Sequence, residues 1–533
     1  MGNKPNSARS ADLAEQVRSI LASKNLNLSQ ISKVSAARFG RSSPYFLPHN
    51  LYHELRRGNF SPSLHQVFTL SQVSGYRLSH WLRALGCDLE DISRLQVLLP
   101  PTRTILLDSS LVDADAWIPW LRNRSRDTSM PPIAPLAQFL QVTAPRRLRF
   151  LSEIGNRGFL YAKIGRQDAL AFPDLIPGSI VRVNQRFPSD RLPAPTTNGV
   201  TSTQIFLIEH SKGFFCCRLR AERGIIVPIG TSISYAQVEL KVPREARILG
   251  VVDLEIRPML GAKQPEVPRD LGKHWKPQPL VTDKKFGQFL RASRTKLGLS
   301  LREVAGMSRT IAGLVGDGRY FVSPSSLCDY ELFSAPPRHF QKAITLCSLY
   351  GLQLHEFLKV IGIVLAEAGT EAIPDHLVPG AHDTEAAETA GYDGMSGRRG
   401  FLEQMLERCQ EIPFFLRQSI SPLSGLENPS LDDFFWIGGK QDVLHPCLEN
   451  GLLALVNRRD KRPIHFPSKP PWQQPVYVIL MRGGAYLCAC CGIENSTLVI
   501  HPYSQKFIRS ERLRYHQDAE IVGRIVTVIR KLG

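Results

Sequence analysis

The fold of this chain is decided by two matching stretches, YFLPHNLYHELRRGNFSPSLHQVFTLSQVSGYRLSHWLRALG at residues 45–86 and YFVSPSSLCDYELFSAPPRHFQKAITLCSLYGLQLHEFLKVIG at residues 320–362. A second pair follows in the same order, with IGRQDALAFPDLIPGSIVRVN at residues 164–184 and GGKQDVLHPCLENGLLALVN at residues 438–457. Two different segments that recur in one order indicate duplication of a composite unit. A chain with two copies of a module can do alone what single-unit proteins do as dimers.

The charge of the chain favours a polyanionic partner. The chain has 533 residues, which predicts about three to five domains, and its formal net charge is +18. The excess of bases is concentrated in residues 1–66, with a net charge of +6, and in residues 273–342, with a net charge of +7. Both blocks overlap a copy of the first repeated stretch. Nucleic acid is therefore the first expectation, ahead of an anionic membrane.

Cysteine usage and hydropathy indicate the compartment. The 10 cysteines have no spacing typical of a disulfide framework, and the N-terminus has no apolar signal segment. The longest apolar run, near residues 357–368, is interrupted by Lys359 and is too short to span a bilayer. We therefore expect a cytoplasmic protein with reduced thiols and no membrane partner.

Helical and β-strand sequence patterns alternate along the chain and predict the order of domains. Apolar residues at helical spacing cover residues 1–98 and 283–366, and short β-branched runs cover residues 136–262 and 401–533. Residues 99–135 and 263–282 are interpreted as linkers, and the acidic, glycine-rich residues 367–400 as a flexible linker. The predicted fold class is multidomain α and β, with two all-α domains alternating with two small all-β domains.

The helical copies carry helix-boundary signals in a recognisable order. Ser300 and Glu303 have the spacing of a capping box, and Ser323-Pro324 has the composition of the start of a further helix. Together with the apolar helices that follow, this order resembles the Cro/CI-type helix-turn-helix family, the XRE class. In the first copy, RRGNFSP at residues 56–62 resembles the E-x-G-x-x-x-P ending of that family. Both copies differ from the family in a longer connection before the recognition helix.

The resemblance implies that residues early in each recognition helix reach the edges of DNA bases. An asparagine there can form two hydrogen bonds with adenine. The base-contact candidates are His49, Asn50 and His53 in the first copy and Ser325, Ser326 and Asp329 in the second. The phosphate-contact candidates are Arg38, Arg41, Arg56, Arg57, Arg309, Arg319 and Arg338. A generic helical bundle with a basic face is the alternative.

The β copies resemble a second known module. The run DLIPGSIVRV at residues 174–183 resembles the I-x-x-G-D-x-V-x-V strand of the S24-type domain. A helix-turn-helix, a linker and a small β domain in this order are the layout of LexA and the CI-type repressors. The resemblance implies a fold class of two all-α helix-turn-helix domains alternating with two small all-β domains like the C-terminal domain of LexA.

That family cleaves itself with a serine that a buried neutral lysine deprotonates. The matching positions hold Ala169 and Cys217 in the first copy, and Asp442 and about Cys488 in the second. Both members of the dyad are therefore missing from both copies, so we predict no catalytic residues and no enzyme. Asp168 and Asp442, shared by the two Gln-Asp pairs, are interpreted as turn-capping residues.

One cluster of cysteines near the C-terminal end could form a zinc site. The cluster Cys488-Ala489-Cys490-Cys491, with His501, supplies metal-binding side chains. On a strand, however, Cys488 and Cys490 share one face while Cys491 takes the other, and tetrahedral sites prefer CxxC on a turn. We therefore expect buried thiols, no metal and no cofactor.

These features predict a sequence-specific transcriptional regulator that binds double-stranded DNA, in the cytoplasm of a bacterium and associated with the nucleoid. One chain would act as a pseudo-dimer, and its non-cleaving β domains would serve assembly, sensing or self-association. Two alternatives stay open. One is a self-cleaving LexA-like repressor with a serine-lysine dyad elsewhere, and the other is a scaffold whose helical modules bind protein.

Overall fold

The computed structural model of the chain divides into two compact units. The first comprises residues Met1–Leu99, Leu107–Leu111 and Val281–Ala381, and the second comprises Pro100–Leu106, Val112–Leu280 and His382–Gly533. The structure describes residues 15, 17–19, 21–22, 27–56, 62–74, 78–87, 90–99, 102–107, 117–121, 133–136, 148–152, 159–186, 204–222, 224–230, 238–259, 265, 278–280, 285–363, 431–438, 452–466, 469–470, 473–501 and 511–532.

The first unit is helical, and the two copies contribute helices in the same order. The first copy forms α1 (Leu28–Phe39), α2 (Asn50–Arg56), α3 (Leu64–Ser74), α4 (Leu78–Ala84) and α5 (Glu90–Leu98). The second copy forms α6 (Phe286–Lys296), α7 (Leu301–Val315), α8 (Pro324–Phe333), α9 (Phe340–Tyr350) and α10 (Leu354–Val360). A short 3₁₀ helix, Gly318–Tyr320, precedes α8. No helix among these described residues is long and apolar enough to cross a membrane.

The helix starts follow the boundary signals in the sequence. Ser300 caps α7 and forms a capping box with Glu303, because each side chain accepts a hydrogen bond from the other residue's main-chain N–H. Ser323 caps α8, with Pro324 in its first turn. These local predictions are confirmed.

The same side-chain hydrogen bonds hold both helical copies. Thr69 on α3 donates to the carbonyl of Tyr45 over 2.8 Å, and Thr345 on α9 donates to the carbonyl of Tyr320 over 2.7 Å. Each threonine therefore ties its helix to the segment that leads into α2 or α8. A second bond is also repeated at 3.1 Å, where Ser35 accepts from the N–H of Leu47 and Ser308 from that of Val322.

The two helical copies share one hydrophobic core, which includes Trp81 of the first copy and Phe357 of the second. Hydrogen bonds also join the copies directly. The amide of Gln96 donates to the carbonyl of Cys347 over 3.2 Å, and the hydroxyl of Tyr45 donates to the carbonyl of Gly362 over 2.8 Å. The helices of both copies therefore form a single packed body.

The second unit is built from strands. Before the helices of the second copy come β1 (Ile105–Leu107), β2 (Trp117–Leu121), β3 (Ile133–Pro135), β4 (Leu148–Ser152), β5 (Phe159–Lys163), β6 (Ile180–Asn184), β7 (Phe206–His210), β8 (Gly213–Glu222), β9 (Ile225–Ile229), β10 (Leu240–Lys241) and β11 (Ala246–Pro258). After them come β12 (Phe434–Ile437), β13 (Leu452–Asn457), β14 (Tyr477–Met481), β15 (Tyr486–Glu494), β16 (Thr497–His501), β17 (Glu511–Arg514) and β18 (Ala519–Lys531).

Sixteen of the described strands form one sheet, with the path β10-β9-β8-β7-β11-β18-β14-β15-β16-β17. β6 also pairs with β11, and β13 with β18, while β2 and β4 form a separate pair. Residues expected to be linker supply β1 and β3. β1 pairs with β5 of the first copy, and β3 pairs with β12 of the second.

A pseudo-twofold relation joins the two β copies where β11 pairs antiparallel with β18, a contact that we call the seam. Ile256 pairs with Ile529, and these residues lie equally far along the chain after the matched residues Asn184 and Asn457. Register irregularities occur at equivalent positions in both strands. The seam therefore joins the same edge of each copy, as a twofold dimer interface would.

The predicted fold class is wrong. The described residues do not form two all-α helix-turn-helix domains alternating with two small all-β domains. They form ten mostly short α-helices and a sixteen-stranded, largely antiparallel sheet. The physical reason is fusion of the copies, because the apolar faces of both helical copies fill one core and the edges of β11 and β18 satisfy each other's main-chain hydrogen bonds.

One buried carboxylate neutralises two arginines at the seam. Glu255 accepts from Arg257 over 3.1 Å and from Arg530 over 2.6 Å, and the hydroxyl of Ser179 donates to it over 2.7 Å. Arg257 and Arg530 are equivalent residues of the two copies, but the equivalent of Glu255 is the apolar Val528. A single acid thus serves both halves, and the carboxylate is fully buried.

Replacing Glu255→Gln should lower the free energy of unfolding by about 3–5 kcal/mol, because two buried guanidinium groups lose their counter-charge. Urea unfolding followed by tryptophan fluorescence measures the change. Asp518→Asn is the matched control, since it removes an acid from the surface ion pair with Arg514 and should change little. Equal losses in the two variants would contradict the role of the seam.

The same carboxylate predicts a pH dependence. Burial alone would raise the pKa of Glu255, but the charges of Arg257 and Arg530 outweigh burial and lower the pKa from 4.5 to about 2. Because the pKa is lower in the folded protein, the stabilisation is complete above about pH 5 and is lost as the pH falls towards 2. Across this range, the measured free energy of unfolding should fall more steeply with decreasing pH for the wild type than for Glu255→Gln.

Two equivalent glycines permit close main-chain approach in the sheet. A Cβ atom at Gly250 would lie 2.3 Å from the carbonyl oxygen of Asn184, and one at Gly523 would lie 2.5 Å from that of Asn457. Gly250→Ala and Gly523→Ala should each destabilise the chain by about 1–3 kcal/mol through overpacking. Gly483→Ala, where a Cβ meets no atom within 4 Å, is the control, and thermal unfolding is the measurement.

Candidate nucleic-acid interface

The first group of base-contact candidates lies at the start of α2. His49 directly precedes the helix, and Asn50 and His53 lie within it. All three side chains are exposed, and the rings of His49 and His53 lie edge to face at 6.1 Å. The spacing of one, three and four residues places the three side chains on one side of the helix. The structure therefore brings the first group together on the surface.

The second group lies at the start of α8, but its members differ in availability. Ser325 and Asp329 are exposed, whereas Ser326 is half-buried. The N–H of Ser326 donates to the hydroxyl of the capping residue Ser323 over 3.1 Å, and its own hydroxyl lies 3.0 Å from that of Ser323. Ser326 is thus engaged in the helix cap. The hydroxyl of Ser325 also lies 2.9 Å from that of Ser323, but the side chains of Ser325 and Asp329 are exposed and form the outward-facing pair.

The phosphate-contact candidates fall into three groups. Arg38, Arg41, Arg309 and Arg338 are exposed. Arg319 is exposed but forms an ion pair with Asp317 at 2.7 Å, so it is less available to a phosphate. The side chain of Arg56 and the whole of Arg57 lie outside the described residues.

The described surface of the helical unit is strongly basic. Four acids are exposed there, namely Glu15, Glu303, Asp329 and Glu356. Twelve bases are exposed, namely Arg18, Lys33, Arg38, Arg41, Arg83, Lys285, Arg291, Arg302, Arg309, Arg319, Arg338 and Lys359. The candidate list from the sequence missed Arg291 and Arg302, although the polar faces of the amphipathic helices α6 and α7 could have indicated both. Such a surface attracts polyanions.

Three of the four positions aligned with the serine-lysine dyad, namely Ala169, Cys217 and Cys488, are apolar and buried. Ala169 forms an isolated parallel bridge with Cys216, and both belong to one hydrophobic core. Cys217 faces a different core, so Cys216 and not Cys217 is the neighbour of Ala169. In the second copy, Cys488 occupies the position equivalent to Cys216 in the strand register, and Asp442 lies outside the described residues.

Asp168 has a structural partner. Its carboxylate is fully buried, lies 2.9 Å from the guanidinium of Arg103 and accepts from the main-chain N–H of Thr104. Burial raises the pKa of Asp168 to about 6, although Arg103 and Thr104 oppose the change. Asp168 was expected to cap a turn. Instead, its ion pair with Arg103 and its hydrogen bond with Thr104 link the turn after β5 to the residues that precede β1.

The cysteines near the C-terminal end lie on both sides of their strand. Cys488 and Cys490 belong to one hydrophobic core and Cys491 to another. Among the described residues, no three histidine, cysteine or acidic side chains form a group that could hold a metal ion. The imidazole of His501 instead stacks on that of His465, with ring centroids 3.9 Å apart.

Comparisons with protein-family models, curated proteins and solved structures gave no match to this chain.

Thiol accessibility gives a direct check of these cores. Burial raises the pKa of the thiols of Cys216, Cys217 and Cys488 above the ordinary range, which disfavours the reactive thiolate. We expect iodoacetamide to modify these three only after unfolding. Cys328 on α8, which is half-buried, should react faster in the folded chain. Peptide mapping by mass spectrometry measures each site, and modification of Cys216 as fast as that of Cys328 would contradict the packing.

Proposed function

We propose that this chain is a transcriptional regulator that binds specific sequences in double-stranded DNA through its helical unit. The observation that carries the proposal is the pairing of two outward-facing helix starts with a basic surface, on which the described residues include twelve exposed bases and four exposed acids. Base edges are recognised by side chains near a helix start, whereas arginines and lysines on the surrounding surface neutralise phosphates. The β unit would serve assembly or sensing without cleaving itself.

The two helix starts carry unlike side chains, which favours an asymmetric DNA site. Asn50, flanked by His49 and His53, can hydrogen-bond to adenine. Asp329, beside Ser325, can accept a hydrogen bond from the amino group of cytosine. A symmetric dimer would read two equal half-sites. A single chain with unlike readers would instead prefer a site with two dissimilar halves.

Selection of bound sequences from random duplex DNA tests this proposal. We expect one enriched motif with two unlike parts, bound by one chain. Mass photometry of the complex gives the stoichiometry, and a footprint gives the protected length. No enrichment at any salt concentration would refute the proposed function, and two chains on a strict palindrome would refute the asymmetric reading.

Asn50→Ala should weaken binding to the selected motif by about 1–3 kcal/mol and relax the sequence preference in one half only. Asp329→Ala should relax the preference in the other half. Repeating the selection with each variant measures both effects. His355→Ala, which removes an exposed side chain of α10, is the control and should leave the motif unchanged. A motif unaltered by Asn50→Ala would show that α2 does not read bases.

Arg41→Ala and Arg309→Ala should weaken binding to specific and random DNA by similar factors, because phosphate contacts carry no sequence information. Each lost contact should reduce the slope of log K against log salt by about 0.9. Fluorescence anisotropy across a salt series measures the slope. A loss confined to the selected motif would instead assign these arginines to base recognition.

A protein-binding scaffold is the second candidate function. The exposed side chains of Leu332 and Phe333 at the end of α8 favour it, with exposed fractions of 63% and 74%, because large exposed apolar groups often mark protein contacts. The selection experiment separates the two candidates, since a scaffold would enrich no DNA sequence.

A further inference from the structure

The segment between β13 and β14 forms a second basic surface, in the β unit. We call residues 458–466, RRDKRPIHF, together with Lys469, the basic loop. Five described members are exposed bases, namely Arg458, Arg459, Lys461, Arg462 and Lys469. Its one acid is Asp460. The loop is therefore strongly positive for its length.

The carboxylate of Asp460 does not offset the exposed bases. It forms an ion pair with Arg524 of β18 at 2.5 Å, so its charge is already matched within the fold. Two other bases have weaker surface pairs, Arg458 with Asp433 at 3.6 Å and Lys461 with Glu520 at 3.2 Å. Surface pairs of this kind contribute little and are easily exchanged for another anion.

Arg459 and Arg462 differ from these bases. No carboxylate in the described part of the chain lies within ion-pairing distance of either guanidinium, and both side chains are exposed. Their main-chain atoms, by contrast, are fixed. The N–H of Arg459 donates to the side chain of Asn457 over 3.0 Å, and the carbonyl of Arg462 accepts from the hydroxyl of Tyr477 over 3.1 Å.

Two buried side chains hold the main chain of the basic loop. The hydroxyl of Tyr477, on β14, donates to Arg462 and accepts from the N–H of Ile464 over 3.1 Å. The amide of Gln474 accepts from the N–H of Phe466 over 3.1 Å and donates to the carbonyl of Lys469 over 2.8 Å. The loop thus presents its guanidinium groups from a fixed backbone, which reduces the entropy lost on binding.

We propose that the basic loop binds the phosphates of double-stranded DNA, as a contact separate from the two helix starts. Arginine forks match phosphate oxygens, and unpaired exposed guanidinium groups favour a polyanion. An anionic membrane is a poorer match, because polybasic membrane contacts lie beside a membrane anchor or on an amphipathic helix. Among the described residues no helix could serve as such an anchor, and the described part of the loop is not helical. The inference rests on the proposed function, since it assigns a second surface to the same ligand.

The test uses the full chain with the double substitution Arg459→Ala/Arg462→Ala, which removes two side chains and leaves the main-chain hydrogen bonds. The matched control is Arg220→Ala/Arg244→Ala, which makes the same charge change at exposed positions of the first β copy. Binding to the selected motif and to random duplex DNA is measured by anisotropy from 50 to 300 mM salt. Thermal unfolding checks the fold, and Arg459→Gln/Arg462→Gln replaces the first variant if it does not fold.

The expected result is a slope of log K against log salt that is about 1.8 shallower than that of the wild type, which corresponds to two lost phosphate contacts. Affinity for the selected motif and for random DNA should fall by the same factor, and the control should match the wild type. A slope equal to that of the wild type would overturn the basic loop as a DNA contact while the proposed function stands. A wild-type chain that binds no duplex DNA would overturn both proposals.

A second arm separates the two sources of phosphate. Sedimentation with vesicles of phosphatidylserine and phosphatidylcholine measures membrane binding by the same three proteins. If the double variant lost vesicle binding while its DNA binding and salt slope stayed those of the wild type, the loop would be a membrane contact and the proposal would be overturned. Unchanged vesicle sedimentation with a shallower DNA slope supports the proposal.

Discussion

The hydrogen bonds of Glu255 with Arg257 and Arg530 hold the centre of the β unit. Both arginines are buried on strands that pair across the seam. These strands can therefore pair only if a buried acid neutralises the charges of both arginines. An unmatched buried guanidinium would cost several kcal/mol. The register of β11 against β18 places Glu255 directly opposite Arg530, and a slip of one residue would turn these side chains to the opposite face. Electrostatics and strand register therefore support one another at this point.

Local structure could be predicted from the sequence, but the assembly of the copies could not. The four-residue segment from Ser300 to Glu303 indicates a helix start, because capping depends only on neighbouring atoms. The shared helical core depends instead on contacts such as that of Gln96 with Cys347, which are far apart in the chain. Helical periodicity shows that a face is apolar and does not show what covers it. The sequence therefore predicts separate domains, whereas the two copies share one helical core and one sheet.

At the candidate site, too, local features could be predicted from the sequence, but side-chain contacts could not. Exposure of His49, Asn50 and His53 follows from their place at the start of α2, which the proline and the polar residues around them indicate. The engagement of Ser326 in the cap of α8 and the pairing of Arg319 with Asp317 depend on side-chain geometry. A one-residue error also placed Cys217 instead of Cys216 beside Ala169, because the alternation of a strand shows two faces and not which of them meets a given neighbour.

Because the second copy has Val528 where the first has Glu255, the two halves are not interchangeable. A chain made of two first halves would bring two carboxylates and two arginines to the seam, and its charges would balance. A chain made of two second halves would bring two arginines with no acid between them. The first half could thus still recombine with itself, whereas the second half can exist only beside a first. With one carboxylate for two arginines, the two copies form an ordered pair in which the second depends on the first.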